Sequence, residues 1–62
     1  MADSDSAAQA KKRGNTHYKA KEFEKAIAEY TTAINLNGKD HTFYSNRAAC
    51  YAGNLLFLLT KN

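Results

Sequence analysis

The stretch Lys11-Lys12-Arg13-Gly14-Asn15 places a cation and a primary amide four residues apart. On a helix, residues i and i+4 share one face, so Lys11 and Asn15 can reach one ligand. The lysine brings a charge and three donors, and the asparagine amide adds two more, a set suited to a carboxylate. Charge-assisted bonds of this kind are worth about 1.5–3 kcal/mol each. A second amide, Asn46, stands within Tyr44-Ser45-Asn46-Arg47. Taken singly, Lys11 is an ordinary surface lysine, and Asn15 and Asn46 are amides that could bond nearby backbone. Arg47 reads as a packing anchor or surface ion-pair residue, not as a ligand contact.

Other chemistry finds little support. His17 and His41 lie on either side of a complete helical pattern, and Cys50 is the only cysteine. Neither arrangement has the spacing of a metal site. Cys50, within Ala-Ala-Cys-Tyr, reads as a small buried residue rather than a nucleophile. Gly14, Gly38 and Gly53 are isolated, so no phosphate-cradling loop is present. The expectation is a chain that is not an enzyme and takes no cofactor and no metal.

The elements that must position these groups are helical. Asp3, Ser4, Asp5 and Ser6 offer N-cap oxygens, and Ala7, Ala10, Gly14, His17 and Tyr18 then recur at helical spacing. That predicts a first helix of about 14 residues, stopping near Ala20 to Glu22. Phe23, Ala26, Ile27, Tyr30, Ala33 and Ile34 form a second apolar stripe, with Glu24, Lys25 and Glu29 opposite. Asn37-Gly38 is expected to end this helix through a residue at positive φ. Asp40 can cap a third helix carrying Tyr44, Ala48 and Tyr51 on one stripe, and Gly53-Asn54 is expected to close it. No stretch alternates with period two, so the fold class is all-α. Gly14 lacks a side chain, which lets the second helix approach closely, with Ala26 or Ile27 expected in the gap.

The chain has 62 residues and can form one small domain at most. Its single cysteine allows no internal disulfide and fits a reducing, cytoplasmic setting. The N-terminal segment is acidic, without the apolar core of a secretory signal. The longest apolar run, Leu55 to Leu59, is far shorter than the roughly 20 residues a bilayer span needs. Net charge is +3, but Glu22, Glu24 and Glu29 interrupt the basic residues. Neither nucleic acid nor membrane is therefore expected as a partner.

The stretch GNTHYKAKEFEKAIAEYTTAINLN resembles a tetratricopeptide repeat, a helix–turn–helix of roughly 34 residues with G-x₂-Y, A-x₃-F and P positions. Gly14, Ala26 and Tyr30 match, Tyr30 replacing Phe. Ala10 and Arg13 replace the usual Trp and Leu, His17 replaces the Tyr, and Gly38 stands where the proline closes the repeat. A shift of about 34 residues carries Gly14 onto Ala48, His17 onto Tyr51 and Phe23 onto Phe57. The resemblance, covering Ala7 to Tyr51, implies a cap at 1–6, a first repeat at 7–40 and a partial, divergent second repeat at 41–62. Its expected fold is one helical hairpin plus the first helix of a second repeat, followed by a short apolar segment of unsettled form.

A narrower resemblance is to the carboxylate-clamp repeats of co-chaperones that organise cytosolic heat-shock chaperones. K-x-x-G-N is matched by Lys11, Gly14 and Asn15, and Y-S-N-R by Tyr44 to Arg47. By that resemblance Lys11, Asn15 and Asn46 bind the carboxylates of a chaperone tail ending in Glu-Glu-Val-Asp. It also implies a lysine and an arginine from a third repeat, which these residues do not include. Losing both contacts should cost at least about 3 kcal/mol, more than a hundredfold in affinity. The tail AGNLLFLLTKN departs from the family pattern, as in a shortened or altered version of a longer co-chaperone. The alternative is a structural repeat that docks on a partner or self-associates through Leu55, Leu56, Phe57, Leu58 and Leu59 without capturing peptide.

Overall fold

The computed structural model describes residues 6–61, which form α1 (Ala7–Lys19), α2 (Phe23–Leu36) and α3 (His41–Thr60). No strand occurs among the described residues, as the all-α expectation requires. Ser6 is the N-cap of α1: its hydroxyl accepts from the Gln9 N–H at 3.2 Å while its own N–H donates to Gln9 Oε1 at 2.8 Å. This reciprocal pair satisfies two otherwise orphaned donors. The other expected capping residues, Asp3, Ser4 and Asp5, lie outside the described residues.

α1 ends through a left-handed turn. Lys21 has φ 62°, and the Lys21 and Glu22 N–H groups donate back to the Tyr18 and His17 carbonyls at 3.0 and 2.8 Å. That bonding pattern reverses the chain within three residues and lays α2 against α1.

α2 is the central element. Phe23, Ala26, Tyr30 and Cys50 form one buried cluster, with Ile27 packed against it, and Ala10, Ala33 and Phe43 form a second. The space left by Gly14 is filled by the Tyr30 ring, not by Ala26 or Ile27. A Cβ on Gly14 would lie 2.7 Å from Tyr30 Cε1. α2 stops at Asn37, but no glycine has positive φ there and Asn37 is extended at φ −154°. The Asn37 side chain instead accepts from the Lys39 N–H at 3.3 Å and shapes the connection.

α3 departs most from expectation. Asp40 caps it as expected, its Oδ1 accepting from the Thr42 N–H at 2.9 Å and the Thr42 hydroxyl at 2.6 Å. The helix then passes through Gly53-Asn54 without stopping and runs 20 residues to Thr60. Gly53 serves packing rather than termination, because a Cβ there would lie 2.7 Å from Phe23 Cε1. The buried stripe also differs, being formed by Phe43 and Cys50. Tyr44, Ala48 and Tyr51 face outward and are exposed. Periodicity alone could not choose between these faces, since both carry apolar residues at helical spacing.

Candidate functional site

Of the three expected site residues, two stand on α1 and one on α3. Lys11 and Asn15 lie one turn apart on α1, and Asn46 lies one turn beyond Phe43 on α3. Asn15 and Asn46 come together: both line a recess of about 200 Å³ with Tyr18, Tyr30 and Ala49. Lys11 does not line it. Its ammonium sits over the Phe43 ring, 5.9 Å from the centroid, within the range of a cation–π contact. The lysine thus stands one helical turn before Asn15 and against Phe43, near the start of α3.

The same end of α3 carries a buttressed acid. Hydrogen bonds from the Thr42 hydroxyl and then its backbone N–H hold the Asp40 carboxyl below its ordinary range, and Lys11 adds a smaller coulombic share. Lys11 therefore has both an aromatic face and an anion close by.

Asn15 is half-buried, and its Oδ1 accepts a hydrogen bond from the Tyr30 hydroxyl at 2.5 Å. Burial pushes the Tyr30 phenol above its ordinary pKa, so it stays protonated and able to donate. Asn46 is half-buried and has no hydrogen-bond partner among the described residues. Two carboxamides and an ammonium, with no general base among them, suit the holding of an anionic oxygen rather than bond-making.

Arg47 is a packing residue, as expected. It donates to Thr31 Oγ1 at 3.2 Å and lies over the Tyr44 ring, 5.9 Å from its centroid. Cys50 is fully buried, and burial pushes its thiol up, away from the reactive thiolate. Among the described residues no group of three metal-binding side chains comes together.

Sequence reasoning did not assign Tyr18, Tyr30 or Ala49 to the site. Tyr30 carried a signal in its hydroxyl, which stands where the repeat pattern has phenylalanine. Its bond to Asn15 crosses the hairpin, beyond the reach of local spacing.

The sequence profile described as TPR repeat matches residues 14–54. The chain is 51% identical over 41 residues to the mitochondrial outer envelope protein 64 of Arabidopsis thaliana, covering 66% of this chain and 7% of that protein. It is 52% identical over 46 residues to the translocon at the outer membrane of chloroplasts 64 of Pisum sativum, covering 74% and 8%. It is 47% identical over 45 residues to the Hsp70-Hsp90 organizing protein 1 of Glycine max, covering 73% and 8%. The chain thus spans less than a tenth of each of these relatives. No solved structure matches.

Proposed function

Because the chain belongs to the TPR-repeat family, we propose that it is a protein-interaction module whose α1–α3 groove receives the carboxylates of an acidic heat-shock-chaperone tail. The observation that carries this reading is the meeting of Asn15 and Asn46, from separate helices, in one recess. Relatives named for organising Hsp70 and Hsp90 support the choice of partner. In this reading 7–40 is the first repeat and 41–62 a partial second. The single, buried cysteine supports a reducing cytoplasmic setting. Outer-envelope proteins among the relatives make the surface of an organelle a second candidate location.

Binding by this chain alone should be weak. A complete clamp has two further cationic contacts, whose loss costs at least about 3 kcal/mol, more than a hundredfold. Titration of the chain with a fluorescent peptide ending in Glu-Glu-Val-Asp tests the reading. Saturable binding that falls on C-terminal amidation, and falls again in Lys11→Ala and Asn46→Ala, is the expected outcome. Equal binding of the amidated peptide would exclude recognition of the terminal carboxylate.

A second reading is favoured by the second half of α3. Leu55, Leu56, Leu58 and Leu59 are each more than half exposed. Self-association through this segment would cover them without using the recess.

A further inference from the structure

We propose that Tyr30 is a positioning residue that sets the recess for a carboxylate by locking the Asn15 amide in one orientation. The inference rests on the carboxylate reading for its consequence, but its geometry is independent of any ligand. Tyr30 is 2% exposed and its ring lies where a Cβ on Gly14 would otherwise be, at 2.7–3.0 Å from three ring atoms. That approach carries the hydroxyl to the neighbouring residue, Asn15, whose Oδ1 accepts its hydrogen. Gly14, Asn15 and Tyr30 therefore act together: the missing side chain admits the ring, and the ring's hydroxyl selects a face of the amide.

A carboxamide can present either an acceptor or two donors to a ligand, and a carboxylate accepts only from donors. The phenol hydrogen bonds best to the amide oxygen, so Oδ1 is taken up inside the hairpin. The Nδ2 hydrogens remain for the recess, next to the unpaired Asn46 amide. In the reverse orientation Oδ1 would face the ligand and repel an anion while tolerating an amide. A phenylalanine at position 30 would fill the same space beside Gly14 but leave this choice unmade. The hydroxyl thus decides ligand class, and the ring decides packing.

Tyr30→Phe, made in the full chain, separates the two roles. The ligand-free readout is the Asn15 side-chain amide pair in the ¹⁵N–¹H spectrum, assigned by its loss in Asn15→Ala. In Tyr30→Phe this pair should move toward the position of a solvent-exposed asparagine while the helical circular dichroism is retained. Affinity for a peptide ending in a free carboxylate should drop about three- to tenfold, with a smaller drop for its amidated form. In the Asn15→Ala background the same substitution should have no further effect on binding. An unmoved Asn15 pair, or an equal loss in both backgrounds, would overturn the proposal and leave Tyr30 a core residue. If the unsubstituted chain ignores the acid peptide, the carboxylate reading and the selectivity role both fall. The Asn15 signals then decide alone whether Tyr30 holds the amide.

Discussion

Gly14 shows how one missing side chain serves both stability and recognition. Its absent Cβ is what the Tyr30 ring occupies, so alanine there gains about 1 kcal/mol of helix propensity but forces the two helices apart. Overpacking of this kind typically costs about 1–3 kcal/mol, and the Tyr30 ring is buried where the added Cβ would fall. Gly14→Ala should therefore be destabilising by about 1 kcal/mol net, read as a lower urea midpoint. An unchanged or raised midpoint would mean the close approach is not what holds α1 to α2. At this scale, type and spacing singled out Lys11 and Asn15 as candidate donors, and the resemblance to clamp repeats added Asn46. That Asn15 is held by Tyr30, and that Lys11 lies over Phe43, was not legible. Both contacts join residues brought near only by the folding of different helices.

Among the elements, the turn between α1 and α2 carries two testable features. Lys21 adopts φ 62° without being glycine, a conformation that costs a side-chain-bearing residue about 1 kcal/mol. Lys21→Gly should therefore stabilise the chain by about 0.5 kcal/mol, after the greater entropy of the unfolded glycine is counted. Thermal unfolding checks this, and a lower Tm would refute it. Beside it, His17 Nδ1 and Glu22 Oε1 are 2.8 Å apart, and that bond, with the Lys25 charge, lowers the Glu22 pKa from 4.5.

A carboxyl with a lowered folded-state pKa contributes stability that is complete above its unfolded value and lost as pH falls through its folded value. The chain should accordingly lose stability as pH drops below about 4.5, and Glu22→Gln should flatten that part of the profile. Thermal melts at stepped pH measure it, and an identical profile in the variant would remove the role assigned to Glu22. The element boundaries were legible where a cap chemistry marks them, as at Ser6 and Asp40. The end of α3 was not, because Gly53 looks like a stop in sequence but is there to admit Phe23.

Over the whole molecule, one hairpin buries its core well while half of α3 remains unpartnered. Phe57 touches the core only at its edge, its ring 6.1 Å from that of Phe23, and is 41% exposed. Leu56 and Leu59 are 62% and 70% exposed, so charging them removes no core contact. Leu56→Lys with Leu59→Lys should lower concentration-dependent association in sedimentation while leaving the hairpin folded. Association that persists in the double variant would place the contact elsewhere. No helix among the described residues is long and apolar enough to cross a membrane. The helix–turn–helix repeat and the all-α class were readable from periodicity and motif. What Leu55 to Leu59 pack against was not readable, because it depends on surfaces that lie outside a single chain's periodicity.

The central claim is that Asn15 and Asn46 form one recess that holds the terminal carboxylate of an acidic tail, with Lys11 one helical turn away. A ¹⁵N–¹H amide spectrum of the chain, recorded with a peptide ending in Glu-Glu-Val-Asp and again with its C-terminal amide, tests it most directly. The account predicts shifts confined to Lys11, Asn15, Asn46 and their groove neighbours, saturating at high peptide concentration and reduced by amidation. Shifts at Leu55 to Leu59 instead, or equal responses to the acid and the amide, would contradict it.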